Sequence, residues 1–119
     1  NVMGSLYYGN VESPIVMPDR ILAHLAAVAT TKLRRSESFV VSWKGTGEEG
    51  EGRTTLWFQP AIPLRFVYDQ AAAIPLNPAT LREMADQATS NGGLVLDADL
   101  DIPEITAARP ETRRPVAAA

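Results

Sequence analysis

The sequence predicts an α+β domain in which one largely antiparallel sheet carries two helices, in the order β-β-α-β-β-β-α-β. Three observations predict it. Apolar residues recur at helical spacing in two stretches, one near residues 19–35 and one opened by Asn77-Pro78. Short runs rich in aromatic and β-branched residues occupy most of the remaining chain before residue 97. Gly, Pro and Asn punctuate the joints between these runs.

Ser5 to Tyr8, the pair Gly9-Asn10, and Val11 to Met17 read as a hairpin, because Gly9 and Asn10 both tolerate positive φ. Pro14 cannot donate to a ladder and assigns the second arm to a sheet edge. Pro18-Asp19 then opens a helix, with proline pre-setting φ and aspartate complementing the helix dipole. Leu22, Leu25, Ala29 and Leu33, flanked by Ile21 and Val28, form its core face. Lys32, Arg34 and Arg35 fill its last turn, where cations complement the carbonyl end.

Three strands are expected next: Phe39 to Trp43, Arg53 to Phe58, and Leu64 to Tyr68, the last with Leu64, Phe66 and Tyr68 on one face. Asn77-Pro78 supplies the cap and first-turn proline of the second helix, whose stripe is Leu81, Met84, Ala85 and Ala88. Asn91-Gly92-Gly93 is read as its stop. Leu94-Val95-Leu96 is apolar on both sides and reads as a central strand. The domain is placed at residues 1–102. The Pro/Ala/Arg/Glu mixture of 103–119 has too little apolar mass to fold alone, and its ordering would need contact with the domain or with a second copy.

Composition bounds the function. A chain of 119 residues that is 45% hydrophobic and 21% charged is one ordinary globular domain. The absence of cysteine excludes disulfides and thiolate metal sites and suits the cytoplasm. The longest apolar run, Ile21–Ala29, is interrupted by His24, so neither a membrane span nor a signal peptide is expected, and Met3-Gly4 reads as the natural start. Net charge is −3, with no overall basic excess for a nucleic acid.

Gly47 to Thr54 matches G-x-x-x-x-G-K-[ST] with arginine for lysine, and Gly45 to Gly50 matches G-x-G-x-x-G. A phosphate loop must lead into a helix, whose free N–H groups hold the anion. Here Arg53 onward is strand-like and Glu48, Glu49 and Glu51 crowd the loop, so a solvated hairpin loop is expected and no nucleotide cofactor. Asp97, Asp99 and Asp101 alternate on one side of an extended chain, yet an EF-hand would need glycine where Ile102 stands, so no metal is expected. His24, the one histidine, borders an apolar helix face and reads as structural. Trp43, Trp57, Phe58 and Phe66 could stack single-stranded bases, but aromatics in a small sheet are expected in the core.

The surface candidate is the basic cluster Lys32, Arg34 and Arg35, joined by Arg20 or Arg53, which would contact phosphates. No nucleophile-plus-base set can be assembled, so no catalytic residues are assigned.

Several stretches together resemble an uncharacterised family of actinobacterial proteins about a hundred residues long. They are Met3-Gly4 with Tyr8-Gly9, Leu22-Ala23-His24-Leu25, Lys32 to Arg35, Glu37-Ser38-Phe39, Ser42-Trp43, and Gly52-Arg53-Thr54 with Trp57. Pro60, Ile62-Pro63-Leu64 with Phe66, Leu76-Asn77 and Gly92-Gly93-Leu94 complete the set. Many members carry the label "ATP-dependent DNA ligase". A ligase needs a nucleophilic lysine in K-x-D-G, and Lys44-Gly45-Thr46-Gly47 has threonine in place of the aspartate. The expectation is therefore a small non-catalytic interaction module, with a protein partner or self-association. A DNA-associated accessory that binds DNA weakly is the alternative.

Overall fold

The computed structural model of the chain describes residues 3–44, 52–97 and 102. The elements are β1 (Met3–Tyr8), β2 (Ile15–Pro18), α1 (Asp19–Arg34), β3 (Phe39–Lys44), β4 (Arg53–Phe58), β5 (Leu64–Val67), α2 (Pro78–Thr89) and β6 (Leu94–Leu96). The class and the element order agree with the sequence reading. The strands, however, divide between two three-stranded sheets rather than one: β2-β1-β5, here sheet A, and β4-β3-β6, sheet B. Sheet A is antiparallel throughout. In sheet B, β4 is antiparallel and β6 parallel to β3.

The β1–β2 hairpin turns at Gly9, whose φ of 64° only glycine adopts without strain; Asn10 is not needed in that region. Pro14 stays outside β2, which is an edge strand as expected. The chain leaves α1 through Ser36, held at φ 60°, with the Ser36 and Glu37 amides donating to the Leu33 and Lys32 carbonyls. This is a Schellman closure that uses serine where glycine is usual.

Two corrections concern the end of the domain. α2 stops at Thr89, before Asn91, because the Ser90 amide and hydroxyl both turn back onto the Gln87 carbonyl. Gly93 serves another purpose. At φ 78° it lies so close to Val40 that a Cβ would sit 2.8 Å from the Val40 carbonyl oxygen. β6, read as central, is an edge strand: Leu94 and Leu96 face the core while Val95 is open to solvent. The Gln87 side chain accepts from the Val95 amide (3.3 Å) and covers that edge.

The core is continuous between the two sheets and the helices. Leu6 and Met17 from sheet A meet Ile21, Leu22, Leu25, Val28 and Ala29 of α1. Phe39, Val41, Phe58, Leu94 and Leu96 of sheet B meet Met84 and Ala88 of α2. Each fully buried side chain of this size contributes about 1.5–3 kcal/mol. Phe58 joins the halves, with its ring 5.2 Å from Phe39 and 5.9 Å from Tyr8. The Tyr8 hydroxyl donates to the Trp57 carbonyl across the same seam. Among the described residues no helix is long and apolar enough to cross a membrane.

Candidate functional site

Strand alternation sorts the sheet B side chains. Phe39, Val41 and Trp43 turn inward with Phe58, Leu94 and Leu96, so Val40, Ser42 and Lys44 turn outward. Their cross-strand partners are Trp57, Thr55 and Arg53 on β4, and Val95 lies beside Ser42 on β6. The helices cover the other face, and no helix among the described residues covers this one. Trp57 is 52% exposed and Val95 52% exposed. Arg53 donates to the Ser42 hydroxyl (3.4 Å), which fixes one cation at the Lys44 end of the face. The exposed strip is formed by Trp57, Thr55 and Val95 with two cations at one end, while Ser42 at its centre is itself buried.

Of the four aromatics considered as a platform, only Trp57 lies on this open face. Phe58 is fully buried, and Trp43 and Phe66 pack against the core. The outer face of sheet A is a second open surface, with Met3, Val16 and Val67 exposed and the Arg65 guanidinium 4.2 Å above the Tyr7 ring.

The basic residues named from sequence do not converge. Arg20 is turned to the Ile102 carbonyl (2.7 Å) at the start of α1. Lys32 is largely buried between the helix ends, donating to Thr89 Oγ1 (2.6 Å) and pairing with Glu37 (3.4 Å). Arg34 and Arg35 are exposed at the end of α1. Arg53 belongs to sheet B. The five therefore form no single patch, because helical adjacency places side chains by angle and burial had already claimed Lys32.

Of the glycine motifs, residues 45–51 lie outside the described residues, while Gly52 and the β4 residues Arg53 and Thr54 are described. β3 and β4 are antiparallel neighbours in register from Phe39↔Phe58 to Lys44↔Arg53, so the segment joins two strands and leads into no helix. Asp99, Asp101 and residues 103–119 also lie outside the described residues. Among the described residues no group of three or more His, Cys, Asp or Glu side chains could hold a metal.

Two polar side chains are buried in α1. His24 is fully buried. Its Nδ1 lies 2.7 Å from the Arg20 carbonyl and its Nε2 2.9 Å from the Asn77 amide. A carbonyl only accepts and an amide only donates, so the ring is neutral with its proton on Nδ1. Burial pushes its pKa down, and the nearby Arg20 charge adds to this against the opposing pull of the Arg20 carbonyl. Asp19 is 2% exposed and accepts from the Asp69 amide at 3.1 and 3.4 Å. Gly4 makes room for it: a Cβ there would collide with the Asp19 carboxylate, with Leu22 (2.7 Å) and with the Val67 carbonyl (2.8 Å). Burial, helped by Asp19, raises the Tyr68 pKa. The double engagement of His24 was not readable from sequence. Its one signal was a lone histidine set among Ile21, Leu25 and Val28.

A family model described as a domain of unknown function, DUF7882, matches residues 3–99. The chain belongs to this family. The match runs from β1 through β6 and includes Trp57, His24 and Asn77. No curated protein and no solved structure matches the chain.

Proposed function

We propose that this DUF7882 protein is a non-catalytic interaction module that docks a protein partner on the open face of sheet B around Trp57. The observation that carries the reading is Trp57 itself, half exposed beside Val40, with the exposed Val95 further across the same face, which no helix among the described residues covers. Exposed tryptophans flanked by aliphatic residues are the usual energetic centres of protein interfaces. Lys44 and Arg53 at one end suit a partner strip that is apolar with an acidic end. The one histidine, the commonest general base, has both ring nitrogens occupied by backbone groups, which supports a non-catalytic role.

The module is read as an actinobacterial, cytoplasmic protein, and the ligase label as carrying no ligase chemistry, since threonine follows Gly45 where the aspartate belongs. Incubation with labelled ATP and Mg²⁺ is then expected to leave no adenylylated protein. A labelled band lost in Lys44→Ala would restore the ligase reading. The DNA-associated alternative rests on Arg34 and Arg35, the two cations of the cluster that remain exposed.

The test is affinity capture from the native host, together with sedimentation, for the wild-type chain and Trp57→Ala. Loss of an interface tryptophan of this kind costs at least about 2 kcal/mol, roughly a thirtyfold weakening of the partner or of self-association. Unchanged capture and unchanged sedimentation in Trp57→Ala would overturn the assignment of the face.

A further inference from the structure

Between β5 and α2 the chain crosses the outer face of α1 instead of turning directly into the next helix. Both ends of this crossing, residues 69–77, are tied to buried side chains of α1. At its start the Asp69 amide donates to Asp19; at its finish the Asn77 amide donates to His24. Between the two ties the chain arches over a trough of about 570 Å³ lined by Ala23, Ala26, Ala27 and Thr30 on one side and by Gln70 to Ile74 on the other. Asn77 is also the cap of α2, its side chain accepting from the Ala79 and Thr80 amides at 3.0 and 3.2 Å. The second tie therefore fixes the end of the crossing and the start of a helix together.

We propose that residues 69–77 form an acid-released strap, whose tie at Asn77 lets go when His24 takes up a second proton and uncovers the alanine face of α1. The geometry requires this response. Nδ1 already donates to the Arg20 carbonyl, so the added proton can go only to Nε2. Nε2–H would then point at the Asn77 N–H, donor against donor, with the hydrogen bond lost and a charge in a site without water access.

Among the described residues the Arg20 carbonyl alone favours that charge, and burial outweighs it. On its own helix the charged neighbour is Arg20, of like sign to the imidazolium. α2 points its N-terminus, the positive end of its dipole, toward the ring and has no acidic residue in its first turn. Its buried residues Met84 and Ala88 do not titrate, and neither do the Leu6 and Met17 side chains that β1 and β2 pack against α1. Asp19 and Asp69 belong to the other tie. Opening the strap exposes the ring to water, where its pKa returns to about 6.5.

The sign follows. The closed strap has the lower pKa, so closure is complete above about pH 6.5 and is lost as pH falls through the closed-state value. Within that window each pH unit favours the open strap by up to about tenfold.

The experiment follows amide hydrogen exchange of the full chain by NMR from pH 7.5 to 5, expressed as protection relative to the unstructured rate. Asn77 reports the strap and Val41, in the middle strand of sheet B, reports global unfolding. Asn77 protection is expected to lie well below that of Val41 at pH 7.5, as a local opening requires, and to fall by up to about tenfold per pH unit below 6.5. In His24→Gln the amide oxygen can still accept from Asn77 but does not titrate, so protection should become independent of pH. Should that variant not fold, the ring ¹⁵N shifts of the wild-type chain are expected to move with the same midpoint as Asn77 protection. Protection of Asn77 that stays flat to pH 5, or that equals that of Val41 at every pH, overturns the proposal.

Discussion

The two ends of α1 carry similar numbers of polar side chains and use them in opposite ways. At the start, Asp19 and His24 are buried, and each accepts one backbone amide of the segment that crosses the helix. At the finish, Lys32, Arg34 and Arg35 look like a binding cluster in sequence. Yet Lys32 closes the gap to α2 through Thr89, and only the two arginines reach the surface. A polar group inside a protein is decided by what it must satisfy there. A buried amide without an acceptor costs about 1–3 kcal/mol, whereas an exposed arginine gains or loses little wherever it points. The start of α1 is therefore constrained and the finish is free.

The sharpest way to break this comparison is to remove the buried end. His24→Ala takes away the acceptor of the Asn77 amide, the donor to the Arg20 carbonyl and the volume of a fully buried ring. A loss of about 3–4 kcal/mol is expected in urea unfolding at pH 7.5. A loss under 1 kcal/mol would place His24 among the dispensable residues.

Acidity should reproduce part of that loss without mutation. Because the folded-state pKa of His24 is depressed, its contribution is fully present above about pH 6.5 and declines as pH falls through the folded value. The stability difference between the wild-type chain and His24→Gln should accordingly shift in favour of Gln from pH 7.5 to 5. A difference that does not change with pH contradicts the neutral, accepting ring.

The free end should respond weakly. Lys32→Ala removes a partly exposed ion pair and one hydrogen bond between the helices, with an expected cost of about 1 kcal/mol or less. Ser36→Gly should do the reverse. It relieves a non-glycine residue at φ 60°, worth about 1–2 kcal/mol, against about 0.5–1 kcal/mol of added chain entropy. A gain near 0.5 kcal/mol in the same unfolding assay is expected, and a loss would mean that the serine side chain itself contributes to the turn.

The smallest effects belong to Arg34→Ala and Arg35→Ala, each within about 0.5 kcal/mol in stability. With these two arginines facing solvent, duplex and single-stranded DNA should bind no more tightly than about 10⁻⁴ M at physiological salt. Micromolar binding in fluorescence anisotropy, reduced in these variants, would raise the DNA-associated reading above the interaction module.

Much of the fold was legible because it follows from local periodicity. The helical spacing of Leu22, Leu25 and Ala29 gave α1, and the Asn77-Pro78 cap gave the start of α2. The runs Phe39 to Trp43 and Arg53 to Phe58 lie in β3 and β4, and Pro14 marked an edge. The candidate docking face was only half legible. Alternation places Trp57 and Phe58 on opposite faces of β4, but nothing in that alternation says which face the helices cover. The placement of the basic residues was not legible for a related reason, since Arg20 and Lys32 are engaged by Ile102 and by Thr89, residues 82 and 57 positions away.

The amino-acid order by itself determined the elements, their sequence along the chain and the turns that need glycine, because these depend on contacts within a few residues. The tertiary structure alone decided that the six strands among the described residues form two sheets rather than one, that β6 is an edge of its sheet there, and that Trp57 is left exposed while Phe58 is enclosed. It also decided that Asp19 and His24 hold a segment about fifty residues further along the chain. The physical reason is common to all of these. Strand partners and the acceptors of buried amides are selected by proximity in space, and proximity between distant segments exists only once the core has closed around Leu6, Leu22, Leu25, Val41 and Phe58.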